Sequence, residues 1–164
     1  MITKEDITKV WEHLQEVTDP EIPVLTILDM GIVRDVKVND QSQLEVVITP
    51  TYSGCPAMDM IAVNIKAVLQ NHGFDGVEVS SVLSPAWTTD WLSEDGRKKL
   101  KAYGIAPPEG SNDKSTLFAE PKKIECPRCG SRQSKMIAEF GSTACKSLYQ
   151  CEDCKEPFDY FKCH

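Results

Sequence analysis

Two closely spaced cysteine pairs near the C-terminus constrain this chain more than any other feature. Cys126 and Cys129 form one C-x2-C pair, Cys151 and Cys154 form another, and twenty-one residues separate the two. Each pair can wrap a tight backbone knuckle around one metal ion, and two knuckles supply the four thiolates of a tetrahedral site. Gly130 directly follows Cys129, where a knuckle turn often needs a residue that accepts positive φ. The spacing therefore predicts a small module that is held together by a metal.

Length and composition are typical of a globular protein. The chain has 164 residues, of which 41% are hydrophobic and 26% are charged. This length suits one ordinary domain, or a domain of about 110 residues with a small metal-stapled appendage. Neither a secretory leader pattern nor an apolar run near about 18 residues is present, so we expect a cytoplasmic protein without a membrane partner. In that compartment, seven cysteines favour metal ligands or reactive thiols over disulfides.

The net charge of −7 is unevenly distributed. Residues 1–120 contain ten Lys or Arg and nineteen Asp or Glu, whereas residues 121–164 contain eight and six. An acidic body disfavours nonspecific nucleic-acid binding, which depends on neutralising phosphates with basic side chains. The small positive surplus of the tail would be offset by a zinc centre with four thiolates. We therefore do not expect nucleic acid to be a partner.

Periodicity predicts a helix and a hairpin in the first fifty residues. The helix is expected from Thr3, with Asp6 completing a capping box, and its apolar stripe stops at Asp19, which precedes a proline. Residues 32–38 and 44–49 alternate between apolar and polar side chains around a polar turn. This pattern indicates an antiparallel β-hairpin.

A second helix, a third strand and a short third helix are predicted next. The second helix should begin near Cys55 and end at His72, where Gly73 is the expected C′ residue. Its wide apolar face indicates that it is the buried helix. Residues 77–81 follow as a strand, and Glu94–Tyr103 is a helix candidate.

These elements predict an α+β fold in two parts. Residues 1–103 should form a small two-layer helix-and-sheet domain. Residues 104–123 are rich in Pro, Gly, Ser and Asn and resemble a linker. Residues 124–164 should form a zinc-ribbon-like module around the four cysteines.

Cys55 is the most interesting residue of the body. Pro56 suits the first position of a helix, which would place Cys55 at the N-cap. Exposed amide donors and the helix dipole favour a thiolate there, so Cys55 could ligate a metal or act as a nucleophile. The alternative is an inert N-cap cysteine. No motif brings His13, His72 or His164 to Cys55 as a base, and His13 is expected to be a solvated surface residue.

Two carboxylates and three tail residues are further candidates. Asp19 and Glu21 lie in a proline-stiffened turn, and they serve either as turn-capping groups or as carboxylates aimed at a partner or a metal near Cys55. In the tail, additional ligands are offered by residues of types that suit zinc, iron or clusters, namely Cys145, Cys163 and His164. The alternative for Cys145 and Cys163 is burial in a very small core, to which the tail aromatics would also belong.

Five segments resemble the SufT-like family of iron–sulfur assembly factors. They are residues 19–23, 29–33, 49–56, 85–92 and 104–108. The resemblance implies an α+β domain in which the cysteine of the Gly-Cys-Pro turn, here Cys55, is important for the role of the protein.

The fusion of this body to the cysteine pairs resembles the PaaD-like family of phenylacetyl-CoA epoxidase subunits. That resemblance implies an accessory role in phenylacetate degradation, with the di-iron oxygenase and the flavin and iron–sulfur reductase subunits as partners. It further implies that the chain assists the maturation of one of these subunits and does not itself catalyse epoxidation. The residues agree, because the sequence has neither a di-iron signature nor a glycine-rich cofactor loop.

Our hypothesis from the sequence is a metal-trafficking or maturation factor. Cys55 would transiently hold iron or an iron–sulfur cluster, or would form a labile bond with the client, and Asp19 and Glu21 would shape the adjacent surface. The two cysteine pairs would bind structural zinc in a client-docking module, although the same ligands also suit iron. The alternatives are a scaffold subunit with a structural Cys55, a thiol enzyme acting on acyl-CoA, and a zinc-ribbon nucleic-acid binder.

Overall fold

The computed structural model describes residues 1–109 and 122–162, which fall into two compact units, Met1–Ser93 and Glu94–His164. The predicted α+β class is confirmed, since helices and two β-sheets are present. The central part of the predicted linker, residues 110–121, lies outside the described residues, as do Cys163 and His164. Every helix in the described ranges is too short or too polar to span a bilayer.

The first unit begins with helix α1, Lys4–His13, and a 3₁₀ turn over Leu14–Glu16. Thr3 and Asp6 form the predicted capping box, in which each side chain accepts a hydrogen bond from the backbone amide of the other residue. The helical run ends at Glu16, three residues before the expected stop at Asp19. The chain turns extended at Val17, whose φ of −89° and ψ of 118° already match the β region.

A three-stranded sheet forms the second layer of this unit. Strand β1 is Val33–Val38, β2 is Leu44–Ile48 and β3 is Glu78–Ser81, in the order β1-β2-β3. Strands β1 and β2 pair antiparallel, which confirms the predicted hairpin, and β3 lies parallel to β2. A parallel pair needs a long crossover, and helix α2 provides it.

Helix α2, Ala57–Asn71, is the buried helix that the sequence predicts. The buried side chains Ala57, Ile61, Ile65 and Leu69 recur every four residues and therefore share one face. Full burial of each large side chain contributes about 1.5–3 kcal/mol relative to exposure. The helix ends at His72 as C-cap, and Gly73 follows with a φ of +87°.

The second unit combines one helix with a four-stranded sheet. Helix α3 is Glu94–Tyr103, β4 is Ile105–Ala106, and the remaining strands are β5 Ser134–Ala138, β6 Lys146–Cys151 and β7 Pro157–Phe161. The sheet order is β4-β7-β6-β5. Strands β5, β6 and β7 pair antiparallel, and β4 lies parallel to β7.

The tail aromatics build the core of the second unit, as the sequence predicts. Tyr149, Phe158 and Phe161 are at most 3% exposed, and Tyr160 packs against the cluster that contains Tyr149 and Phe158. The rings of Tyr149 and Phe158 are 5.8 Å apart, within the range of favourable aromatic pairs. Cys126 and Cys151 belong to the same cluster, so the apolar core and the cysteine pairs form one structure.

The division between the units differs from the expected domain boundary at residue 103. Glu94–Tyr103 groups with the second unit, and Ile105–Ala106, expected in the linker, forms strand β4. Both β4 residues are buried, and Ala106 joins the core cluster around Tyr149. Two residues are too few for a recognisable strand pattern, so β4 is defined by its pairing with β7.

Candidate functional site

The first cysteine pair forms a closed knuckle. The Cys126 amide donates to the Ser131 carbonyl over 2.8 Å, and the Gly130 amide donates to the Cys126 carbonyl over 2.9 Å. Gly130 has a φ of +76°, so the predicted need for a left-handed residue after Cys129 is confirmed.

The second pair repeats this geometry without a glycine. The Cys151 amide donates to the Glu156 carbonyl over 3.0 Å, and Lys155 has a φ of +65°. Lys155 directly follows Cys154, just as Gly130 directly follows Cys129. An alignment of the two C-x2-C pairs in the sequence would therefore have predicted a left-handed residue at position 155. The Lys155 ammonium donates to the Glu152 carbonyl, and this hydrogen bond helps to hold the turn closed.

The two knuckles bring four sulfurs together. Sγ of Cys126 lies 3.8 Å from Sγ of Cys154, Sγ of Cys129 lies 3.5 Å from Sγ of Cys151, and all four atoms lie within 4.8 Å of one another. A tetrahedral zinc ion with bonds of about 2.3 Å requires sulfur separations of about 3.8 Å. The four cysteines therefore form a metal site whose dimensions fit zinc.

The protonation of these thiols follows from their surroundings. Backbone amides of Cys154 and Asp153 donate to Cys151 and lower its pKa to about 7. At Cys154 the amide of Glu156 also acts to lower the pKa, but desolvation and the neighbouring sulfurs outweigh it and raise the pKa to about 12. One thiolate forms readily, whereas four adjacent thiolates repel one another unless a cation binds between them.

The structure does not bring Cys145 into this group of sulfurs. Cys145 is only 6% exposed, and its Sγ lies 3.1 Å from Oγ1 of Thr143. The other proposed additional ligands, Cys163 and His164, lie outside the described residues.

Helix α2 begins one residue later than the sequence predicts, so Cys55 lies just before the N-cap. Pro56 is the N-cap and Ala57 is the first helical residue, so the predicted N-cap position of Cys55 is wrong. The Cys55 amide donates to the Tyr52 carbonyl, and the Met58 amide donates to the Cys55 carbonyl. Both bonds use the backbone, and no side chain caps α2, so the thiol is not tied into the helix end.

The Cys55 side chain is half-buried and lines a cavity of about 470 Å³. The cavity lies between the start of α2 and strand β3, and its wall includes Ser53, Asp59, Ser80 and Leu83. Leu83 is 62% exposed, so the cavity is accessible from solvent. Sequence reasoning missed Asp59, although it lies four residues after Cys55, near the start of helix α2.

Asp19 and Glu21 are not among the residues that line this cavity. Asp19 is only 5% exposed, and its Oδ1 accepts hydrogen bonds from the amides of Glu21 and Ile22 over 2.7 Å and 2.8 Å. This carboxylate therefore closes a turn in the way that aspartate commonly does. Glu21 is half-buried on the same turn.

Two segments that carried the family resemblance pack against each other. The indole of Trp87 donates to the Met30 carbonyl over 2.7 Å, and the hydroxyl of Ser93, which directly follows the second segment, donates to Asp29 over 3.1 Å. Gly31 lies directly beneath Trp91, where a Cβ atom would come within 2.5 Å of the Trp91 carbonyl oxygen. Residues 29–33 and 85–92 thus pack directly against each other, and their spacing in the sequence does not predict this contact.

Comparison with known families divides the chain in a similar way. Residues 7–83 match a family described as iron–sulfur cluster assembly protein, and residues 110–162 match the PaaD zinc beta ribbon domain. The chain is 47% identical over 162 residues to a protein of Escherichia coli (strain K12) that is named as one subunit of a "Putative 1,2-phenylacetyl-CoA epoxidase". This match covers 99% of the chain and 96% of that relative.

The N-terminal unit also has shorter relatives. The chain is 33% identical over 99 residues to an Fe-S protein maturation auxiliary factor of Porphyromonas gingivalis, covering 60% of this chain and 90% of the relative. A crystal structure of a domain of unknown function, DUF59, from Bacillus anthracis matches with a TM-score of 0.53 and 28% identity. This match covers 57% of the chain and 90% of that structure.

Proposed function

Because the chain belongs to the PaaD-like family of phenylacetyl-CoA epoxidase subunits, we propose that it is an accessory factor that assists the maturation of that epoxidase system. Its partners would be the oxygenase and reductase subunits, to one of which it would help to deliver iron or an iron–sulfur cluster. Two matches support this proposal, since a whole-length relative is named a subunit of the epoxidase and residues 7–83 match an iron–sulfur assembly family. The chain itself would not catalyse epoxidation.

The observation that carries this role is the position of Cys55. Cys55 lines a solvent-accessible cavity to whose wall Asp59 also contributes, and a small inorganic group can enter it. The Cys55 thiol would lose its proton to solvent and bind iron as a thiolate, and the iron would then pass to a ligand of the client by ligand exchange. No oxidation or reduction is needed for this transfer. In this proposal Asp19 and Glu21 do not bind iron and contribute only to the fold of the first unit. The Asp19 carboxylate already accepts hydrogen bonds from the backbone amides of its own turn.

We assign zinc to the four-cysteine site of the second unit. Zinc would be held by Cys126, Cys129, Cys151 and Cys154, whose sulfur separations fit it. Such an ion supplies folding stability, and four protein ligands leave no open position for a substrate. The second unit would then be a rigid module that docks on the client.

We place this role in the cytoplasm. None of the six cysteines among the described residues is joined to another in a disulfide. A reducing compartment keeps both a transfer thiol and four metal-binding thiols from being oxidised to disulfides.

The test replaces Cys55 with Ser in a strain that expresses all the epoxidase subunits. We expect Cys55→Ser to reduce the iron content of the purified oxygenase or reductase, together with epoxidase turnover, by at least about fivefold, since its oxygen is a poorer ligand for iron than sulfur. Ser53→Ala is the matched control, because Ser53 lines the same cavity and offers no thiol. It should leave both quantities near wild type.

A scaffold subunit is the alternative, and the name of the whole-length relative as a subunit favours it. In that case the protein would remain in a stoichiometric complex with the oxygenase or the reductase. Full turnover and normal iron loading with Cys55→Ser, together with stable co-purification, would eliminate the transfer role in favour of the scaffold.

A further inference from the structure

A second group of metal-ligating side chains lies in the first unit, away from the cysteines. His13 is the last residue of α1, Glu16 belongs to the 3₁₀ turn that follows, and His72 caps the C-terminal end of α2. The sequence predicts His13 as a solvated surface residue, but its side chain is only 25% exposed. Its ring stacks on that of His72 with centroids 3.6 Å apart and planes 11° apart.

One carboxylate oxygen serves both rings. Oε1 of Glu16 lies 2.9 Å from Nε2 of His72 and 3.4 Å from Nδ1 of His13. The three ligand atoms lie within 4.8 Å of one another. A tetrahedral ion with bonds of about 2.0–2.1 Å needs ligand separations of about 3.3–3.4 Å, so the ligand atoms already lie near the required spacing, although the rings must reorient to admit an ion.

We propose that His13, Glu16 and His72 form a binding site for one divalent first-row transition-metal ion. Two imidazoles and one carboxylate are a donor set that suits Zn²⁺ and Fe²⁺. The Glu16 and His72 side chains are 53% and 35% exposed, so water has access to complete the coordination shell. This site lies outside the proposed transfer pathway and depends on neither Cys55 nor the ribbon cysteines.

Binding requires a specific change in the histidine pair. An imidazole coordinates through a lone pair in the plane of its ring, and two parallel rings cannot both point at one ion. The rings must therefore tilt apart, which their partial exposure permits. The ion would join the end of α1 to the end of α2, and the surplus of nine acidic groups in residues 1–120 favours its approach.

The test titrates Zn²⁺ by calorimetry into the full chain after its ribbon has been loaded with one equivalent. We expect a second equivalent to bind, and His13→Gln or His72→Gln to weaken it by at least about tenfold, with Glu16→Gln in the same direction. Glu12→Gln on the same helix is the matched control and should change the affinity by less than about twofold. An anaerobic titration with Fe²⁺ shows whether the same residues take iron.

Proton NMR of the histidine rings provides a second readout. One added equivalent should shift the ring signals of both His13 and His72. The proposal is overturned if no second equivalent binds below about 1 mM Zn²⁺, an affinity too weak to matter. It is also overturned if the His13→Gln, His72→Gln double variant still binds the second equivalent of Zn²⁺. Loss of that equivalent in Cys55→Ser, with binding kept in the double variant, would place the second ion at Cys55.

Discussion

At the scale of single residues, the backbone conformation at two positions matters more for stability than the side chain found there. Gly31 and Lys155 both have a positive φ, at +68° and +65°. Only the first is a glycine, and it is also a position that another segment approaches closely. Left-handed conformations cost residues with a Cβ about 1 kcal/mol or more, so the two positions predict opposite responses to substitution.

Gly31→Ala should destabilise the first unit by about 3 kcal/mol, since it adds a contact of 2.5 Å with the Trp91 carbonyl to an unfavourable φ. Gly76→Ala is the matched control, because Gly76 has nearly the same φ, +69°, and a Cβ there would meet only the Gln43 side chain, at an unstrained 3.9 Å. It should cost only about 1 kcal/mol. Chemical denaturation of both variants measures the difference, and equal losses would show that the approach of Trp91 is unimportant.

Lys155→Gly should stabilise the second knuckle by a few tenths to about 1 kcal/mol, because glycine adopts a φ of +65° without a steric penalty. The gain is partly offset by loss of the hydrogen bond from the Lys155 ammonium to the Glu152 carbonyl. The reciprocal change, Gly130→Lys, should destabilise the first knuckle. Thermal unfolding of the zinc-loaded protein measures the change in stability for both variants. A loss of stability with Lys155→Gly would contradict this account.

At the scale of elements, the two units are stabilised by different means. The first buries the faces of α1 and α2 on a three-stranded sheet, whereas the second has a small core that shares Cys126 and Cys151 with the metal site. A core of this size contributes few kilocalories per mole, so metal binding supplies much of the folding free energy of such a module.

Removal of the ribbon metal with a strong chelator should therefore unfold strands β5–β7 and leave β1–β3 folded. Amide NMR spectra of the full chain would show the loss of dispersed signals from residues 134–138 and 146–151, while those of α2 persist. Cys129→Ser should reproduce the effect without a chelator, and Cys145→Ala should not, because Cys145 lies outside the sulfur group. Retention of all signals after complete metal removal would refute a metal-dependent fold.

At the scale of the whole molecule, the net charge of −7 limits the partners of the chain. A zinc ion held by the four thiolates, as proposed above, would add negative charge to the second unit and offset its small basic surplus. Long-range electrostatic repulsion therefore opposes association with polyanions such as nucleic acids. It does not oppose association with proteins in general.

We expect no saturable binding to a labelled duplex oligonucleotide up to about 100 µM protein at physiological salt, because an acidic chain gains little from the release of phosphate counterions. Fluorescence anisotropy measures this directly for the zinc-loaded protein. Binding that weakens steeply as salt is added would contradict the prediction and favour a nucleic-acid role for the ribbon.

The sequence by itself determined the features that depend on neighbouring residues. The capping box at Thr3, the hairpin of β1 and β2 and the buried face of α2 all follow from local spacing, and so do the two knuckles, one at Cys126 and Cys129 and one at Cys151 and Cys154. Each of these signals lies within a few residues of its partner, or repeats with a fixed period, so the backbone geometry of the element fixes the outcome.

Only the tertiary structure decided which distant residues meet. It placed Ser80 on the wall of the cavity that Cys55 lines, brought Trp91 onto Gly31, paired β4 with β7, and stacked His13 on His72 across two helix ends. These contacts join residues that no shared period or turn connects, and they form because the helices and sheets bury their apolar faces together. The candidate cysteine cavity and the histidine site are consequences of that packing.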